Sequence, residues 1–296
     1  MQRPGLFRIS GMALCALVLL VSGCSLVRLG YGQIDTIAAW LAHDYFDLEP
    51  AQRENFARRF ERLHVWHRRE QLPEYAQFLS ETRSRAQRGI SAADMTWLIN
   101  GMKTRYAVMA ARAAPDAAEL LAGLSAAQVE HLRKELDELN RKFLRENRTR
   151  ESVSARRQHQ LRNTLKQIRE WTGSLNDAQE ARISVLLQQV PLTDELRHED
   201  RLRRQREFLA LLETRNSDRA VFSQRLRDWL LNWERSRPPE LARAFDESWQ
   251  RRAEFYAAVD RMLTPEQRNH LLQRLQLFID DFRQLAAQTQ TAARAD

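Results

Sequence analysis

Cysteine, glycine and proline are all scarce: 296 residues contain only two cysteines, nine glycines and eight prolines. Turn formers at that density cannot supply the many hairpins of a sandwich or barrel, so an all-β fold is excluded. Beyond the first two dozen residues no apolar run is long enough to cross a bilayer, and a mean hydropathy of −0.59 excludes a multi-span membrane protein. Disorder is excluded in turn by 43% hydrophobic residues, among them seven tryptophans and twelve phenylalanines that require burial. What remains is a helix-rich globular body.

The amino-terminal segment is of a different kind. Arg3 and Arg8 precede an apolar stretch, Met12 to Val21, too short for a permanent membrane helix and of the right length for an export signal. It ends in Val21-Ser22-Gly23-Cys24, which resembles the lipobox of bacterial lipoproteins. The resemblance implies cleavage between Gly23 and Cys24, removal of residues 1–23, and acylation of Cys24. Several acyl chains at about 0.8 kcal/mol per buried methylene make an anchor that hardly dissociates. Cys15 would leave with the signal and Cys24 would carry lipid, so no disulfide, cysteine metal site or cysteine nucleophile is expected. Ser25, where an aspartate favours inner-membrane retention, implies the periplasmic face of the outer membrane. Residues 24–33, with Gly30 and Gly32, read as a short tether that keeps the body near its membrane.

From residue 34 to 291 apolar residues recur at alternating spacings of three and four, the helical period. Phe56, Phe60, Leu63 and Trp66 form one such stripe; Val129, Leu132, Leu136, Leu139 and Phe143 form another. Breakers at Pro50, Pro73, Gly89, Pro115, Gly123, Gly173, Pro191 and Pro238-Pro239 predict an all-α bundle of about ten amphipathic helices. Gly173 is the candidate hinge between halves 34–172 and 174–291. Trp40, Trp66, Trp171, Trp229 and Trp233 sit on the stripes and are expected to pack in the core.

One element recurs four times: Leu48-Glu49-Pro50-Ala51-Gln52, Leu124-Ser125-Ala126-Ala127-Gln128, Leu175-Asn176-Asp177-Ala178-Gln179 and Leu263-Thr264-Pro265-Glu266-Gln267. Its chemistry is that of a helix start, with a capping Ser, Asn or Thr and a Gln at N3 that reaches back to the cap amide; Glu49 is the poorest of the four caps. The last copy is similar to the Leu-Thr-x-x-Gln motif of Spy-like periplasmic chaperones, which implies chaperone-like binding of unfolded envelope proteins. Over most of its length the chain resembles an uncharacterised family of proteobacterial lipoproteins. That resemblance is carried by Gly23-Cys24-Ser25, Tyr31, Trp40, Asp44-Tyr45-Phe46 and Gln52, and by Arg156-Arg157 through Glu170-Trp171, Gly173 and Gln179. The family is a domain of unknown function and implies an address and helicity but no reaction.

Signs of catalysis are few. Glu61 with His64, and Glu195 with His198, have the Glu-x-x-His spacing of di-iron bundles. Both lie among arginines (Arg58, Arg59, Arg62, Arg68 and Arg69; Arg197, Arg201, Arg203 and Arg204) whose field opposes a cation. No serine-hydrolase elbow, zinc-protease helix or phosphate-cradling glycine loop is present. No metal, no cofactor and no enzymatic activity are therefore expected.

Charge is more informative. Ten basic residues against two acids between Arg141 and Arg169 give this segment a balance of +8, whereas the chain without Arg3 and Arg8 totals +6. Arg141, Arg145, Arg148, Arg156, Arg157, Arg162 and Arg169 are the candidate anion-binding residues. Outside the inner membrane nucleic acid is not an expected partner; lipopolysaccharide, peptidoglycan and anionic lipid are. The sequence thus points to a lipid-anchored envelope protein that acts by binding. The leading reading is a chaperone-like or scaffold module for envelope proteins; the alternative is a binder of anionic polymer or lipid through the basic segment.

Overall fold

A computed structural model describes residues 26–292. The predicted lipidation and cleavage sites, Cys24 and Gly23, lie outside the described residues. Eleven helices and no strand make up the described chain, if the helix over Pro50–Arg88 is counted once. In order they are α1 (Leu26–Gly32), α2 (Ile34–Phe46), α3 (Pro50–Trp66) running through a π-helical turn (His67–Gln71) into α4 (Leu72–Arg88), α5 (Ala92–Ala122) and α6 (Ala126–Glu146). The remainder are α7 (Val153–Thr172), α8 (Asp177–Leu187), α9 (Asp194–Glu213), α10 (Arg219–Asn232), α11 (Pro239–Asp260) and α12 (Pro265–Ala292).

The four Leu-x-x-x-Gln elements start α3, α6, α8 and α12, and each glutamine accepts the amide proton of its own cap residue: Glu49, Ser125, Asn176 and Thr264, at 2.9–3.1 Å. They also meet in pairs. Gln52 and Gln128 donate to each other's Oε1 at 3.2 and 2.7 Å, and each donates to the partner's approach turn, Gln52 to the Gly123 carbonyl and Gln128 to that of Asp47, both at 2.9 Å. Gln179 and Gln267 repeat the pattern, with mutual bonds of 2.8 and 2.9 Å and donation to the Met262 and Ser174 carbonyls. Every amide in these two clasps therefore uses both donors and both acceptor positions, so its burial leaves nothing unpaired. Each clasp ties two helix-turn-helix corners: α2–α3 to α5–α6, and α7–α8 to α11–α12.

A core gathers round each clasp. Leu48, Leu124, Leu132, Leu212, Phe222 and Leu226 surround the first, and Ile168, Ile183, Leu187, Phe255 and Val259 the second. Between them α4 lies along α12, burying Leu72 and Ala86 against Leu272, Leu275 and Leu285. Close approach of α5 to α4 depends on Gly101, where a Cβ would stand 2.3 Å from the Phe78 ring.

Four expectations are corrected. Pro115 does not break α5: the carbonyl it leaves without an amide, Ala111, accepts from Arg227 at 3.3 Å. Pro73 does not break its helix either, because the π turn immediately before it absorbs the missing amide. Residues 26–32 are not a free tether but a helix docked on α12, with Arg28 paired to Asp281 at 3.1 Å and Tyr31 packed beside Leu72 and Leu285. Gly173, at φ +81°, ends α7 in a conformation other residues resist, yet the halves on either side interlock. α4 of one packs on α12 of the other, and α5 on both α10 and α11.

A cationic, aromatic cleft

The tryptophans are the fifth correction. Trp40 is 61% exposed, Trp171 is 37% exposed, and Trp66, Trp229 and Trp233 are only partly buried. Trp229 and Trp233 stand four residues apart on α10 and at its end, which places both rings on one side, and what faces them is arginine rather than aliphatic side chain.

Rings and guanidinium groups alternate in a stacked column. Phe208 lies against Trp229 (centroids 4.8 Å apart), Arg204 lies over Trp229 and Trp233 (5.7 and 4.3 Å), and Arg237 lies over Trp233 and Phe245 (4.6 and 4.2 Å). Each cation–π contact contributes about 0.5–2 kcal/mol, more as water is excluded. Asp200, 6% exposed, fixes one end: Arg237 grips both its oxygens at 3.1 Å, and Arg203 donates to Oδ1 at 2.7 Å and to the Trp233 carbonyl at 2.9 Å. Burial pushes the Asp200 carboxyl up, but the two arginines outweigh it and its pKa is lowered overall.

Arg204 is different. It makes no hydrogen bond or ion pair among the described residues, and its Nε is buried without a partner, as is the Trp229 Nε1. Burial between the indoles lowers its pKa; a guanidinium stays charged at any physiological pH even so. The column forms one wall of an open cleft of about 840 Å³ between α5, α6, α9, α10 and α11. Lys103, Arg197, Arg201, Arg204, Arg237 and Arg252 line it against Asp200 and Glu234, a balance of +4, and the apolar part of the lining includes Phe143 and Trp249. Such a site suits a ligand with negative charge and a ring or chain that stacks.

The seven arginines expected to bind anions do not form one face. Arg141 pairs with Glu138, Arg148 with Glu151, Arg156 with Glu195 and Arg169 with Glu180, while Arg157 donates to the Val190 carbonyl at 2.6 Å. Only Arg145 and Arg162 are exposed without an ion pair among the described residues. Both Glu-x-x-His pairs are likewise engaged: His64 Nδ1 lies 2.7 Å from Asp35, His198 stacks on Phe143, and Arg156 takes Glu195. Among the described residues no group of three His, Cys, Asp or Glu could hold a metal ion. Arg204, Trp229, Trp233 and Arg237, the heart of the cleft, are absent from the sequence-based candidates; the four-residue spacing from Trp229 to Trp233 to Arg237 was the available signal.

Fold and site together define an all-α protein in which two clasped helix crossings frame a cationic, aromatic cleft. The chain belongs to a family of unknown function, DUF6279, whose sequence model matches residues 44–241. That stretch holds the first clasp, α9 and the Trp229-Trp233-Arg237 run. No curated protein and no solved structure matches the chain.

Proposed function

We propose that this is a lipid-anchored protein of the cell envelope, on the periplasmic face of the outer membrane, that binds an anionic polymer or lipid in the cleft and carries out no catalysis. The observation that carries the reading is Arg204, a cation stacked between two indoles with no acid in ion-pair contact. Aromatic faces receive sugar rings or acyl chains, and the surrounding arginines receive phosphate or carboxylate. The chaperone-like reading loses its support, because the glutamines that suggested it are buried in the clasps and line no concavity.

Anchoring at Cys24 is supported by the lipobox and by the two helices next to it in the chain. α1 begins at Leu26, and on α2 Ile37, Trp40 and Leu41 expose one apolar face close to the point of attachment, as a helix resting on a bilayer does. Cys24→Ala is expected to abolish incorporation of labelled fatty acid; a wild-type protein that also incorporates none rules the anchor out. For the cleft, the full chain in non-ionic detergent is sedimented with lipopolysaccharide or peptidoglycan. Retention at low salt that fades as salt rises, and weakens at least about tenfold in Arg204→Met, is expected. Retention of Arg204→Met equal to that of wild type overturns the reading.

A further inference from the structure

A second, smaller pocket of about 160 Å³ adjoins the cleft, enclosed by α7, the turn after α8, α9 and α11. It shares Thr193, Arg197 and Arg252 with the cleft, so the two are continuous there. The volume equals roughly five water molecules, room for a phosphoryl or carboxylate group but not for a polymer segment.

Its distinctive residue is Arg156, 6% exposed on α7. The Nη1 corner of its guanidinium is committed to Glu195 at 2.6 Å. The other edge, Nε and Nη2, is buried and has no hydrogen-bond partner. That edge is a two-pronged donor matched to two oxygens of one oxyanion, and burying charged N–H groups unpaired is costly enough that folded proteins rarely retain them without use. The neighbours keep the site from being filled from within. Arg157 is occupied with the Leu187 and Val190 carbonyls, and Asn163 bonds His159. Asp194, the one acid in the lining, lies 3.4 Å from Arg197. Arg252 has no ion pair among the described residues.

We propose that this pocket is an oxyanion subsite, in which the Nε–Nη2 edge of Arg156 clamps a phosphoryl or carboxylate group and Arg252 supplies the second positive charge. It deepens the reading of the cleft as a binding site: the cleft takes the ring or chain and the pocket takes the charged group attached to it. The test is thermal unfolding of the full chain in non-ionic detergent, with inorganic pyrophosphate or glutarate compared against chloride at equal ionic strength. At saturating anion a rise of at least about 3 °C is expected. Pyrophosphate acting alone identifies a phosphoryl source, glutarate acting alone a carboxylate source. Binding measured by calorimetry should weaken at least about tenfold in Arg156→Gln, and also weaken in Arg252→Gln should the first variant fold poorly, while Arg162→Gln binds as wild type. No rise with either anion, or binding undiminished in both variants, overturns the subsite. Pyrophosphate or glutarate bound by a chain that ignores lipopolysaccharide and peptidoglycan leaves the subsite standing and removes the polymer reading. Polymer bound equally by wild type and Arg156→Gln does the reverse.

Discussion

The clasps and the cleft are both made of polar side chains held away from water, and they differ in how those side chains are met. In the clasps every glutamine amide is fully bonded, the same arrangement occurs twice, and the bonds run to backbone turns. In and beside the cleft Arg204, Trp229, His198 and Arg156 each hide a donor that nothing in the chain accepts. The first region holds the chain to one topology. The second keeps hydrogen-bonding capacity and charge in reserve, which is the condition for recognising something else.

Substitutions should separate the two. The largest effect is expected from Asp200→Ala, which removes the shared counter-ion of Arg203 and Arg237 and leaves two buried cations facing each other. A loss of about 3–5 kcal/mol in denaturant unfolding is expected, and because the column rests on Arg237 the cleft should fail with it. Next comes Gln267→Ala, which strands both Gln179 and the Ser174 carbonyl. About 2–3 kcal/mol of destabilisation is expected rather than the ~1 kcal/mol of an isolated cap. The double change Gln179→Ala with Gln267→Ala should then cost much less than the sum of the singles. Additive losses would mean that the clasp is only two caps.

Acid should weaken a third polar region, the junction of α1 and the π turn. Burial lowers the His67 pKa to about 4, with a further contribution from His64, and its Nδ1 lies 2.6 Å from the Tyr31 hydroxyl. Burial lowers His64 as well, against the opposing pull of Asp35. The unfolded imidazole takes a proton near pH 6.5 and the folded one only near 4, so the unfolded state binds more protons between those values. Stability present at neutral pH should be lost as pH falls through that window, and His67→Phe should flatten the fall in unfolding midpoint. The smallest expected effect on stability is that of Arg204→Met: within about 0.5 kcal/mol of wild type, since packing is kept and an unpaired buried charge is removed. A large loss there would place Arg204 in the frame and end the contrast.

Periodicity made the helices legible, and capping chemistry made four of their starts legible, because both are local. What the caps do for each other was not, since Gln52 meets Gln128 and Gln179 meets Gln267 only after long stretches of chain have folded back. The prolines misled because a lost backbone bond can be made good from elsewhere, by Arg227 at Ala111 or by a wider turn at His67–Gln71. The tryptophans misled because a stripe shows which side of a helix is covered, not by what. Counting charge along Arg141 to Arg169 could not see that Glu180 and Glu195, from other helices, come to meet it.

The docking of α1 on α12 sets how the molecule bears load. The first described helix rests against the last, through Arg28 on Asp281 and Tyr31 beside Leu285, and α12 in turn lies along α4. A pull on the amino-terminal end is therefore shared at once across several helix contacts in shear, instead of peeling α2 from α3 one turn at a time. A protein fused after α12 would hang from the same side as whatever holds the beginning of the chain, leaving the opposite side unencumbered.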